Sequence, residues 1–327
     1  MKLHLDKALF RDAVQATAQH IGIPEMYVEK DYWISLALLE IFSSDISNLV
    51  VFKGGTCLSK CHNLIQRFSE DIDLIIIPVE GEATNQFSKR MKMVSKIVDK
   101  ILPEKHIQGV TNKRGNIRKT VHQYAKVSDG NIGRVGEHLV LEASLLGNSE
   151  PFTKQKISSY IHDFMIHAET EDLIEKYNMA SFNVQALSVE RTLCEKIMSL
   201  VRFSQIEDRD IILPSKVRHI YDLHLMLKNE NILSFFNKND FKKMIIKVGE
   251  DDFIGYKNNN AWLKNHPGSA VIFDSPEKVW PHIMDAYQTS FKQMVYGELP
   301  PESDLLDTLS KISNRIKPID WHIGNQT

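Results

Sequence analysis

Val51-Phe-Lys-Gly-Gly-Thr-Cys-Leu-Ser-Lys60, followed by Arg67-Phe-Ser-Glu-Asp-Ile-Asp-Leu74, decides how this 327-residue chain is read. Two glycines close the apolar run Leu49-Val-Val-Phe52, and Thr56 to Lys60 read as the first turns of a helix. A phosphate is favoured at such a turn, because backbone amides are unobstructed there and the helix dipole turns its positive end toward them. Ser69 to Ile77 then has the period of a strand, so Asp71 and Asp73 leave one face while Ile72 and Leu74 enter a core from the other. Two carboxylates a few Å apart repel unless a divalent cation neutralises them, and hard oxygens suit Mg²⁺ or Mn²⁺ that takes its other ligands from water and phosphate. Asp-x-Asp alone is usually a solvated strand face, and Gly-Gly alone is usually a turn. Separated by one short helix and a turn, the two support each other and point to metal-dependent phosphoryl transfer.

Gly-Gly-Thr, a helix and Asp-x-Asp together resemble the signature of the DNA polymerase beta-like nucleotidyltransferase superfamily. The fuller text, Phe52-Lys-Gly-Gly-Thr with Leu58-Ser-Lys60 and Arg67-Phe-Ser with Asp71-Ile-Asp-Leu74, is similar to its AbiEii/AbiGii branch. Members of that branch are toxin halves of type IV-like toxin–antitoxin and phage-abortive-infection systems. Glu29-Lys-Asp-Tyr-Trp33, Glu190-Arg-Thr-Leu-Cys-Glu-Lys196 and Arg218-His-Ile-Tyr-Asp-Leu223 extend the likeness, which runs from about residue 25 to about 227. It implies an α/β polymerase beta-like core with a mixed sheet, preceded by N-terminal helices and followed by a mostly helical domain. It also implies transfer of a nucleoside monophosphate from an NTP, with Asp71 and Asp73 holding Mg²⁺ and pyrophosphate released. Gly54, Gly55 and Thr56 are then expected on the terminal phosphates, with Lys53, Lys60, Arg67 and Ser69 close by. Lys196 is expected on a triphosphate oxygen, Asp222 orienting it or touching base or ribose, and Glu142 as a third carboxylate. The implied acceptor is RNA, transfer RNA 3′ ends foremost because that stops translation and growth, and the implied partner is a cognate antitoxin. The Thr56 and Ser69 hydroxyls are further acceptors for a modifying group. Two other readings stay open: transfer to a protein or small molecule, and a non-catalytic NTP-binding interaction protein.

Composition sets limits of its own. With 43% apolar and 25% charged residues the chain is globular, and a net charge of −2 excludes a polycation, so nucleic acid would need a local patch. The run Trp33 to Phe42 is too short to span a bilayer and Met1 to Asp6 lacks a signal-peptide core, so a cytoplasmic protein without membrane contact is expected. Cys57, Cys61 and Cys194 are an odd count in a large chain, which argues against a disulfide framework, and Cys57 and Cys61, sharing a helix face with no second Cys or His pair at ligand spacing, read as packing rather than zinc ligands. From Lys105 to Lys126 the chain carries Lys105, Lys113, Arg114, Arg118, Lys119 and Lys126 with no acid between, and His106, His122 and Tyr124 interleaved. That is an RNA-binding pattern, with Lys113, Arg114, Arg118 and Lys119 as its contacts. The alternative is a solvated loop and an edge strand whose lysines discourage pairing.

Periodicity predicts amphipathic helices over 5–20 and 25–44, strands over 49–53 and 71–78, and a helix over 84–102 that stops before Pro103. Strands are predicted over 119–127 and 138–146, around the turn-rich Ser128 to Gly136. In the second, Glu142 shares a face with Val140 and Ser144, a costly place for an unpartnered carboxylate. Helices follow over 188–204, 215–229, 238–249, 279–295 and 303–316. The organisation expected is a nucleotidyltransferase domain over 1–185 and a helical domain over 186–327 completing its cleft. Ser188 reads as an N-cap, Leu193, Ile197 and Leu200 as a core face, and Arg218 with Asp222 as an i,i+4 pair. Without the resemblance, Lys196 and Asp222 read as an ion pair between helices.

Overall fold

The computed structural model describes residues 1–79, 81, 84–128, 138–145, 148–257 and 259–324. Seven strands, β1 (Val50–Lys53), β2 (Asp71–Ile76), β3 (Glu104–Lys105), β4 (Ile117–Gln123), β5 (His138–Ser144), β6 (Phe152–Ile157) and β7 (Phe182–Leu187), form one sheet in the order β3-β4-β5-β2-β1-β7-β6. β1 runs antiparallel to β2, while β2–β5 and β1–β7 are parallel, so the sheet is mixed, as expected. The central position of β1 explains its unbroken apolar text: Val50, Val51 and Phe52 are all buried, which needs cover on both faces.

The chain forms two compact units, the first made of Met1–Cys61, Phe68–Leu145 and Phe152–Ala186. It holds the sheet together with α1 (Lys7–Ile21), α2 (Glu25–Phe42), α3 (Gly54–Lys60), α4 (Thr84–Asp99), α5 (Tyr160–His167) and α6 (Glu171–Lys176). Asp6 caps α1 by accepting the Leu9 amide, and Gly22, at φ 71, ends it in the left-handed conformation. α2 departs from the amphipathic helix expected: fourteen of its eighteen residues are buried, including Glu29, Lys30 and Asp31. β3, β6, β7, α5 and α6 were not anticipated, because two to eight residues of mixed polarity leave too little periodicity to read. Of the predicted turn Ser128 to Gly136, only Ser128 lies within the described residues.

The second unit comprises His62–Arg67, Leu146–Pro151 and Leu187–Thr327. Its helices are α7 (Val189–Ser204), α8 (Arg209–Ile212), α9 (Val217–Lys228), α10 (Glu230–Asn237), α11 (Asn239–Gly255), α12 (Val271–Asp274), α13 (Pro276–Ala286) and α14 (Glu302–Ile316). Ser188 caps α7 through the Arg191 amide at 3.2 Å, and Leu193, Ile197 and Leu200 are fully buried, as their spacing predicts. The helix expected over 279–295 is broken instead. After α13 the chain takes a π-helical turn, Tyr287–Phe291, and a 3₁₀ turn, Lys292–Met294. The Thr289 and Ser290 hydroxyls donate to carbonyls four residues back, a competition that bends helices. No helix among the described residues is long and apolar enough to cross a membrane.

Candidate active site

The strand period separates the acids of β2 from its core residues: Asp71 and Asp73 are partly exposed, whereas Ile72 and Leu74 are fully buried. Register then adds what spacing cannot. Asp73 lies opposite Lys53 on β1 and Glu142 on β5, and Glu142 lies opposite Lys119 on β4. Paired residues share a face, so Lys53, Asp73, Glu142 and Lys119 form one charged row across four strands spaced about 4.8 Å apart. Lys119 Nζ is 3.7 Å from Glu142 Oε2, and both side chains remain about one-third exposed, at 32% and 30%.

The turn between β1 and α3 is shaped around Asp73. Gly54 has φ 79, and a β-carbon built there would overlap the Asp73 carboxylate. Gly55 and Thr56 are buried in the first turn of α3, whose N-cap residue Lys53 makes no side-chain capping bond. Thr56 Oγ1 donates to the Asp71 carbonyl at 2.5 Å and lies 3.0 Å from Ser69 Oγ. Being 2% exposed, Thr56 does not present the accessible hydroxyl that its sequence position suggested; it ties the glycine turn to the aspartate strand. Lys60, at the far end of α3, is also turned inward, pairing with Asp31 at 2.5 Å. Gly54→Ala is expected to cut transfer about a hundredfold, because it adds left-handed strain of about 1–2 kcal/mol and displaces Asp73. A melting curve beside a transfer assay checks it, and wild-type turnover would mean that Asp73 need not stand where it does.

In the second unit, the bidentate guanidinium of Arg67 meets Asp222 at 2.7 Å through both Nε and Nη2, and Lys196 Nζ meets the same carboxylate at 2.6 Å. All three are buried, Asp222 completely. Burial alone would raise the Asp222 carboxyl, but Arg67 and then Lys196 outweigh it and hold it at about 2. Burial pushes the Lys196 ammonium down against the pull of Asp222, and Arg67, sharing that anion, pushes it further down. The helix-to-helix ion pair read from Lys196 and Asp222 is therefore present. The Arg218–Asp222 pairing is not: Asp222 takes Arg67, 155 residues away in sequence, in place of its helical neighbour. Within Glu190 to Lys196, Arg191 is an internal strut, bonded to Glu195 at 3.0 Å and Asp251 at 2.8 Å.

A family model described as nucleotidyl transferase AbiEii toxin, type IV toxin–antitoxin system, matches residues 36–309, most of the chain. The chain belongs to the AbiEii nucleotidyltransferase toxin family. Among solved structures it is similar to MenT4, a nucleotidyltransferase toxin from Mycobacterium tuberculosis H37Rv. The TM-score is 0.51 at 14% identity, over 94% of this chain and 90% of that one, which is a likeness of fold. No curated protein matches.

The AbiEii family implies an NTP and a divalent metal, and the donor set of the first unit fits one. Among the described residues no three His, Cys, Asp or Glu side chains are gathered as a ligand cluster. Mg²⁺ does not need one, since it commonly takes one or two carboxylates and keeps water and phosphate for the rest. Asp71 and Asp73 on one strand face, with Glu142 in register, supply hard oxygens of that kind. No disulfide joins Cys57, Cys61 and Cys194.

The basic stretch divides on the structure. Arg118 and Lys119 leave opposite faces of β4: Lys119 joins the charged row, whereas Arg118 Nε donates to Ser95 of α4 at 2.8 Å. Lys113 pairs with Glu104, and Arg114 is exposed on the turn before β4. His122 and Tyr124, expected as aromatic platforms for bases, are buried; the His122 ring bonds Thr120 and the Leu102 carbonyl, and Tyr124 stacks on Trp33. β4 is no edge strand either, being paired on both sides.

Sequence reasoning passed over the charges inside α2. Glu29 accepts the amides of Val127 and Ser128 at 2.7 and 2.9 Å, Lys30 reaches Glu70 at 3.3 Å, and Asp31 takes Lys60 and the Tyr160 amide. The available signal was three consecutive charges in an otherwise apolar helix, which no single polar face can expose.

Proposed function

We propose that this AbiEii-family protein transfers a nucleoside monophosphate from an NTP to a hydroxyl of RNA, with the transfer RNA 3′ end as acceptor, and that a cognate antitoxin restrains it. The observation that carries the reading is the glycine turn packed against Asp73, with Asp71 beside it and Glu142 in register. Asp71 and Asp73 would hold Mg²⁺, which supplies positive charge where the α-phosphate and the acceptor oxygen meet. The amides of Gly54, Gly55 and Thr56 would receive the terminal phosphates, with Lys53 adding charge at the same turn. The acceptor oxygen bonds to the α-phosphorus, the bond from that phosphorus to the bridging oxygen breaks, and pyrophosphate leaves. Glu142, one strand from Asp73 and about one-third exposed, would take the acceptor's proton. Lys119 in the same row, with Lys113 and Arg114 near the start of β4, supports a path for the RNA backbone. Blocked acceptor ends would stop translation, and with it growth, which would suit a use against phage.

The acceptor class is read by incubating the purified protein with each α-labelled NTP, Mg²⁺ and total RNA, beside a control lacking RNA. Label in RNA, lost after replacement of Lys113, Arg114 and Lys119 or at raised salt, is the expected result. Label confined to protein would move the acceptor to a polypeptide hydroxyl. Tight NTP binding without any label would leave a sensing protein in place of an enzyme.

A further inference from the structure

Three consecutive residues lead into the carboxylate strand and a fourth, Asp71, opens it, and each is gripped from α2 or α3. The Phe68 ring stacks on Tyr27 with centroids 4.2 Å apart and planes 5° from parallel. Ser69 Oγ lies 3.0 Å from Thr56 Oγ1, Glu70 Oε2 accepts from Lys30 Nζ at 3.3 Å, and the Asp71 carbonyl accepts from Thr56 Oγ1. Two of the four grips, those on Phe68 and Glu70, come from residues of α2 one helical turn apart. Lys30 is the expensive member. Its side chain is 1% exposed and its partner 14%, so the ammonium has given up its water for the Glu70 carboxylate, with a weaker pull from the Asp71 charge beside it. Desolvating such a pair cancels most of its attraction, and a methionine at 30 facing an apolar residue at 70 would fill the space at no such cost. Stability therefore does not explain a lysine here, but position does: the buried ammonium donates to Glu70 and holds that carboxylate against α2, and Glu70 is the residue whose backbone delivers Asp71.

We propose that Lys30 is a positioning residue for nucleotidyl transfer, acting through Glu70 to fix the entry of β2 and hence the direction in which the Asp71 carboxylate leaves the sheet. This rests on the assignment of Asp71 to the reacting centre given above. The residue touches no substrate in this account, so its loss should appear in the rate of the chemical step and not in NTP binding.

The test compares the full-length wild type with Lys30→Met, Lys30→Arg and Glu70→Gln. Lys30→Met is expected to lower kcat by about tenfold to a hundredfold, the usual consequence of a misplaced catalytic group. The KM for NTP should stay within about twofold, since uniform binding is untouched. Lys30→Arg should recover most of kcat, and Glu70→Gln should reproduce the loss. Hydrogen exchange of the amides of residues 69–73 should quicken by about tenfold in Lys30→Met, with those of α7 and α9 unchanged. If Lys30→Met proves unfolded, Glu70→Gln, whose site is closer to solvent, carries the same expectation. Wild-type kcat in whichever variant folds, or a loss that Arg does not recover and that raises KM equally, overturns the proposal. Asp71→Asn is run in parallel. Should it remain active, the assignment of the reacting centre fails; should it be silent while Lys30→Met is normal, only the positioning role fails.

Discussion

Asp71→Asn and Asp73→Asn are each expected to lower transfer by about a thousandfold or more, a loss of several kcal/mol of transition-state stabilisation. An asparagine keeps the shape of the side chain and one of its oxygens but removes the charge that would hold a divalent cation. Folding should not suffer. Both carboxylates are partly exposed on one strand face, so either variant should melt within a few degrees of the wild type in a metal-free buffer. A single-turnover assay and a melting curve on the same preparation check both halves. An activity loss accompanied by a large fall in melting temperature would mean that these acids hold the fold and do not serve the chemistry.

Asp222→Ala should have the largest effect on stability, about 3–5 kcal/mol, because it strands two buried cations. Arg67 and Lys196 are 2% and 6% exposed and share that one carboxylate. The denaturant midpoint of the second unit reads this directly. The same triad sets a pH dependence. The Asp222 carboxyl lies at about 2 in the folded protein, below its ordinary value of 3.8. Its contribution, on the order of 2 kcal/mol, is therefore fully present above about pH 4 and is lost as pH falls toward 2. Asp222→Asn should abolish that part of the acid transition. Replacing all three residues with apolar ones of similar volume should restore stability. If transfer returns as well, the triad serves the fold alone; if it does not, Lys196 or its neighbours take part in the chemistry.

What could be read in the sequence was local. The period of two in Ser69 to Ile77 separated Asp71 and Asp73 from Ile72 and Leu74, and Gly-Gly after an apolar run marked a turn that needs a left-handed residue at Gly54. Ser188 and the spacing of Leu193, Ile197 and Leu200 fixed α7. The register that brings Glu142 beside Asp73 was beyond reach, since pairing of β2 with β5 joins residues about seventy apart and leaves no mark in either strand. The same holds for Arg67. Helical spacing offered Arg218 as the partner of Asp222, and only the folded chain brings in a guanidinium 155 positions away. Glu29, Lys30 and Asp31 lie in what periodicity reads as an amphipathic helix over 25–44, whereas α2 is buried along most of its length and each of the three charges has its own internal partner. Arg118 and Lys119 looked like one basic patch until the strand period sent them to opposite faces.

The central claim is nucleotidyl transfer at the Gly54, Asp71 and Asp73 site, and the position of the label decides it. The purified protein is incubated with Mg²⁺, RNA and an NTP labelled at either the α- or the γ-phosphate. The account predicts α-label in the acceptor and γ-label in released pyrophosphate, with neither transfer in the Asp71→Asn protein. γ-Label on the acceptor would make the site a phosphotransferase, and unchanged α-transfer by Asp71→Asn would place the chemistry elsewhere in the molecule.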